Sequence, residues 1–210
     1  MLRKINKSWC FPGYRTRYFS IVDEDAFDKV TSELLKDLFS AAGYNLKNDL
    51  VLDMLLSATN PAQGMEYFEK AKAIIVVRDP RDTYIRSRVN VYLNSFMPQN
   101  SVEGFCAFYK AVMEKSILDE RTMIVQYEDL IYKYADTKRK IIDFLGYGHD
   151  PANEFKYFNP NISVKYTNLA SKYPQYSEAI HYIEQHLSEY LYDFGEYVPL
   201  NIESVYEGDF

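Results

Sequence analysis

At 210 residues and 47% hydrophobic, the chain holds enough apolar side chain for one buried core, and its 26% charged residues exclude a disordered polymer. A net charge of −6 excludes the broad basic surface that nucleic acid requires. A small anionic ligand stays compatible, because a few focused arginines can dominate one cleft of an acidic protein.

Cys10 and Cys106 are too few and too far apart for a disulfide framework and read as free thiols of a reducing compartment. The basic opening MLRKINKSWC has no apolar run behind it, so no signal peptide is predicted. No stretch reaches the roughly 18 apolar residues of a membrane span. A cytoplasmic protein with neither membrane nor nucleic acid as partner is the expectation. The 20 tyrosines are expected to pack half-exposed, ring buried and hydroxyl wet.

In chain order, residues 1–22 read as irregular. A helix is predicted from Asp23, with Phe27, Val30, Leu34, Leu35 and Leu38 at helical spacing and Gly43 as its stop. Residues 49–57 are apolar and fit either a buried strand or a short helix. Asn60-Pro61 opens a loop, with a helical turn near Tyr67-Phe68. The run Ala73-Ile74-Ile75-Val76-Val77 is β-branched without polar alternation, as expected of a parallel strand covered on both faces. A helix over 80–93 follows, with Asp79 as its cap, Pro80 in its first position and Asp82 placed for a capping box. Further helices are predicted over 101–118 and 136–145, the latter stopped by Gly146, with a buried strand over 122–126 between them. A long helix from Ser177, with Ile180, Ile183, Leu187 and Leu191 on one face, runs to Gly195. This alternation predicts an α/β fold, a parallel sheet with flanking helices, in a single domain over 1–210 that ends in a tail over 196–210.

Two segments carry the chemistry. In Val77-Arg78-Asp79-Pro80-Arg81-Asp82, Arg78 sits at the carboxyl end of a buried strand, where open α/β sheets bind ligands. It also adjoins a helix start whose free N–H groups favour anions. A guanidinium there can grip a phosphate, or Arg78 and Arg81 can simply pair with the neighbouring acids. In Gln126-Tyr127-Glu128-Asp129-Leu130, a second strand ends in an aromatic that can stack on a purine or serve the core. A helix ending Phe144-Leu145-Gly146 follows.

In this order, about 50 residues apart, the two segments resemble the sulfotransferase superfamily. The resemblance runs from about Asp49 to Phe194 and implies a P-loop-NTPase-like sulfotransferase fold. It implies 3′-phosphoadenosine 5′-phosphosulfate (PAPS) as co-substrate, without a metal, and transfer of a sulfuryl group to a hydroxyl acceptor, a saccharide among the candidates. By the same resemblance, Arg78 holds the 3′-phosphate, Tyr127 borders the adenine, and Lys165 lies on a loop that closes over the nucleotide. The family has a serine eight positions after its arginine. Here Arg86 stands in that place and Ser87 follows, so either can be the second phosphate ligand.

The resemblance is incomplete upstream. The family's phosphosulfate-binding loop would fall at or just before Met1, so the sequence reads as beginning inside the fold. Phe11-Pro12-Gly13-Tyr14-Arg15-Thr16 lacks the lysine and the preceding strand of such a loop. A missing first strand would leave an unpaired sheet edge, open to association with another chain. The acceptor base falls on no histidine. Asp53, flanked by Leu52 and Met54, is the candidate, either as base or as a structural carboxylate. The expected function is a sulfotransferase-like protein binding PAPS or its product, adenosine 3′,5′-bisphosphate (PAP). The alternative is a non-catalytic nucleotide-binding or interaction module on the same fold.

Overall fold

A computed structural model describes residues 2–4, 18–20, 23–57, 59–68, 70–89, 98, 101–114, 118–148 and 155–202. Its contacts divide the chain into two units, Met1–Ser57 with Gln63–Ala71, and Ala58–Ala62 with Lys72–Phe210.

In the first unit two short strands, β1 (Leu2–Lys4) and β2 (Tyr18–Ser20), pair antiparallel with Leu2 opposite Ser20. They stand within the segment read as irregular. Helix α1 (Glu24–Ala41) forms where the apolar periodicity puts it. Its apolar face is not buried, however: Phe27, Val30, Leu34 and Leu38 are all more than half exposed. Residues 49–57 form neither strand nor helix, and Val51 is 99% exposed. Helix α2 (Pro61–Met65) replaces the expected loop. A Cβ on Gly64 would lie 2.4 Å from Leu56 Cδ2, so a larger residue there requires the Leu56 side chain to shift.

The second unit is built on β3 (Ala73–Val77) and β4 (Thr122–Gln126), parallel and in register from Ala73↔Thr122 to Val77↔Gln126. Crossover helices α3 (Pro80–Val89) and α4 (Val102–Glu114) join them, as a parallel pair requires. Among the described residues the expected cover on both faces is incomplete: Val76 is 55% and Ile124 is 43% exposed, and exposure alternates along β3. The core lies instead between helices. Tyr84 and Ile85 of α3, Phe105 and Cys106 of α4, and Ile180 and Ile183 of α8 (Ser177–His186) pack together with Leu169 and Leu187. Each such side chain removed from water contributes about 1.5–3 kcal/mol.

After β4 come α5 (Asp129–Tyr132), α6 (Tyr134–Leu145) and α7 (Pro160–Ser163). Gly146 ends α6 in the left-handed region at φ 84°, its N–H returned to the Ile142 carbonyl, as the glycine stop predicts. Short 3₁₀ turns, Val164–Tyr166 and Leu169–Ser171, lead toward α8. That last helix is shorter than predicted. It breaks at Leu187 (φ −129°, ψ 30°), and past a further 3₁₀ turn the chain forms a strap without regular secondary structure over 191–202. Asn161 holds this strap by accepting from Leu200 N–H at 2.9 Å and donating to its carbonyl at 2.8 Å. Among the described residues no helix is long and apolar enough to cross a membrane.

Candidate functional site

In-register parallel pairing makes β3 and β4 end level, and Tyr127 N–H extends the ladder to the Val77 carbonyl at 2.8 Å. Arg78 and Tyr127, the next residues on each strand, therefore emerge side by side. The Arg78 guanidinium carbon lies 4.8 Å from the Tyr127 ring centroid. The Arg78 backbone is fixed by Tyr109, whose hydroxyl donates to its carbonyl at 2.7 Å. Its Nη2 donates to the Tyr166 carbonyl. Burial lowers the Arg78 pKa, and Asp82, Tyr127 and Glu128 only partly oppose that, while nearby Arg86 pushes the same way as burial.

Arg86 lies with its guanidinium carbon 4.8 Å from the Tyr166 ring centroid, and exposed Lys165 places its ammonium 4.8 Å from the same centroid. The positive charge of Arg86 is felt at Tyr127 as well as at Arg78. Arg78, Arg86, Lys165 and Tyr127 thus come together around Tyr166. Among the described residues, neither buried Arg78 Nε nor buried Arg86 Nε has a hydrogen-bond partner. Ser87 does not join them. One residue further along α3 it points about 100° away, is buried, and donates to the Tyr84 carbonyl at 2.7 Å.

The acids of the motif divide the two arginines. Arg81 is fully engaged: it holds Asp79 through Nε at 3.0 Å and Nη2 at 2.8 Å, Glu184 at 3.2 Å and the Tyr192 carbonyl at 2.8 Å. Arg78 stands 3.9 Å from Asp82 and 4.0 Å from Glu128 and hydrogen-bonds neither. Hydrogen-bonded pairing with the motif's acids is made by Arg81, while Arg78 keeps longer ion pairs with Asp82 and Glu128.

The capping box predicted at α3 does not form. Asp79 Oδ1 caps the helix by accepting from Arg81 N–H at 2.8 Å. Glu128, not Asp82, takes the Asp79 N–H, at 3.1 Å. Carboxylates thus occupy the helix start where free N–H groups were expected, and an incoming anion meets side chains there. Asp82 is fully buried and turns the other way, accepting from Asn168 N–H at 2.9 Å and Leu169 N–H at 2.7 Å. Burial raises its pKa to about 6, with Leu169 N–H and Arg78 pulling it back. Burial also raises Glu128 and Tyr127, the latter hydrogen-bonded by Ser163.

Asp53 is exposed in irregular backbone of the first unit. Residues 11–16 lie outside the described residues. Among those described, no cluster of His, Cys, Asp or Glu could hold a metal ion. Sequence reasoning missed Tyr166, although it adjoins Lys165, and missed the long-range roles of Asp82, Glu128 and Ser163.

A family model described as a sulfotransferase family matches residues 30–151, from within α1 through both motif segments. No curated protein and no solved structure matches the chain.

Proposed function

Because the chain belongs to the sulfotransferase family, with more than half its length matched, we propose that it binds PAPS, and PAP after transfer, at the strand ends. Arg78, Arg86 and Lys165 hold the 3′-phosphate, and Tyr127 borders the adenine. The observation that carries this reading is a mismatch in the site itself. Two like-charged guanidinium groups stand close together, and each keeps a buried N–H unbonded. Buried polar groups are nearly always paired, and leaving one unmade costs about 1–3 kcal/mol. A phosphate supplies acceptor oxygens and opposite charge together, which removes both penalties.

The co-substrate supplies an activated sulfuryl group, and the acceptor in this reading is a hydroxyl, such as that of a saccharide. The residues of the chain bind the nucleotide by its 3′ end and orient the rest.

A calorimetric titration of the full chain tests the reading. Arg78→Ala should weaken PAP binding by about 1.5–3 kcal/mol, as for a hydrogen bond to a charged group. Adenosine 5′-phosphate, which lacks the 3′-phosphate, should bind almost unchanged. Equal losses for both nucleotides would make Arg78 structural and overturn the assignment.

A further inference from the structure

The Asp82 carboxylate, which is not part of the anion cluster, reaches across to the backbone of the turn that carries the cluster's other half. Lys165 and Tyr166 stand just before Asn168 and Leu169, whose N–H groups Asp82 accepts at 2.9 and 2.7 Å. Asn168 is left-handed, at φ 50° and ψ 45°, a conformation that costs a non-glycine residue energy and persists only where its surroundings fix it. Two charge-assisted bonds to consecutive N–H groups supply that fixation. The turn is pinned beside them by Thr167, whose hydroxyl donates to the Val164 carbonyl at 2.8 Å. Lys172 ammonium closes it by donating to the Lys165 and Thr167 carbonyls at 3.0 and 3.1 Å.

We propose that Asp82 is a positioning residue of the anion site, tying the Lys165–Tyr166 turn to helix α3 and setting the charge against which Arg78 works. The charged groups that face it are Arg78 at the end of β3, Asp79 at the cap of its own helix, and Glu128 after β4. Arg78 holds the same turn from the end of β3, through Nη2 to the Tyr166 carbonyl. An anion drawn to Arg78 therefore acts on a group already coupled to Asp82 and to the turn. The role in nucleotide binding rests on the reading given above, while the tie between Asp82, Arg78 and the turn stands on geometry alone.

Amide-proton NMR of the full chain without nucleotide tests the tie, and needs no variant for its first readout. The Asn168 and Leu169 amide protons should titrate together, with a midpoint near the Asp82 value of about 6. Arg78→Gln, which removes the facing positive charge, should raise that midpoint. Amide protons that stay flat between about pH 5 and 7, or a midpoint indifferent to Arg78→Gln, would overturn the proposal. Calorimetry then reads the consequence. Asp82→Asn keeps one acceptor oxygen and should weaken PAP binding about tenfold, Asp82→Ala by more, with adenosine 5′-phosphate unaffected. Full PAP affinity in both variants would also overturn it. A wild-type chain whose amides titrate as expected, but whose midpoint saturating PAP leaves unmoved, would instead remove the phosphate from Arg78.

Discussion

A carboxyl that titrates near neutrality inside a fold changes the balance between folded and unfolded chain, and Asp82 is such a group. Its folded pKa of about 6 lies above the ordinary 3.8 because burial disfavours the charge. Between those values the folded chain keeps a proton that the unfolded chain has released. The Asp82 contribution to stability is therefore fully present below about pH 4 and lost as pH rises through about 6. Two pKa units correspond to about 3 kcal/mol. Urea denaturation should show the stability of the wild type falling by that order relative to Asp82→Asn between about pH 4 and 7. The opposite slope would mean that Arg78 holds Asp82 ionised. A second residue-scale expectation separates the two candidates for the other phosphate ligand. Arg86→Ala should weaken PAP binding about tenfold, and Ser87→Ala by less than about twofold, because the Ser87 hydroxyl already bonds the Tyr84 carbonyl. The proximity of Arg78, Arg86, Tyr127 and Lys165 was legible in the sequence because strand ends mark Arg78 and Tyr127, and the family resemblance marks Arg86 and Lys165. Arg78 and Arg81, by contrast, each precede an aspartate within one motif, and it is their partners in space, such as those 88 and 111 positions away, that tell them apart. No spacing rule reaches that far.

Helix stops were legible wherever one residue supplies the cause. Gly146 sits at φ 84° with nothing within 4 Å of an added Cβ, so Gly146→Ala meets no clash and pays only the left-handed conformation. The expected loss is about 1–2 kcal/mol, read as a lower urea midpoint with an unchanged slope. The strands were equally legible: 73–77 is a continuous apolar run, 122–126 has Met123-Ile124-Val125 at its centre, and they form as β3 and β4. Their surroundings were not. A β-branched run predicts burial, yet Ile74 and Val76 stay well exposed, because burial belongs to what packs on a strand and not to the strand. Helix α1 repeats the lesson, since its periodicity fixes the helix and says nothing of a partner for Phe27, Val30 and Leu34. The 3₁₀ turns and the strap over 191–202 have no periodic signal, being held by long-range bonds such as Asn161 to Leu200.

At the scale of the molecule, a ligand that binds only the folded state stabilises whatever folds with its site. PAP at about 100 times its Kd should add about 2.7 kcal/mol to the unfolding free energy, and adenosine 5′-phosphate at the same concentration much less. The site lies wholly within Ala58–Ala62 and Lys72–Phe210, so thermal melting that resolves two transitions should show only one of them move. The arrangement of that unit also sets an order in time. Asp79 accepts the Tyr192 N–H across 113 positions, and Asp82 accepts those of Asn168 and Leu169 across 86 and 87. A ribosome adding about 5–20 residues per second delivers Tyr192 roughly 6–23 seconds after Asp79. Through that interval the nascent chain carries β3 without its parallel partner for much of the wait, and two carboxylates without their distant N–H groups. Asp79 is not left bare, because Arg81 follows two residues behind and can hold it from the moment both leave the exit tunnel. Asp82 has only Arg78 close at hand until the 164–171 turns arrive, which makes the anion cluster one of the last parts of the newborn protein to take shape.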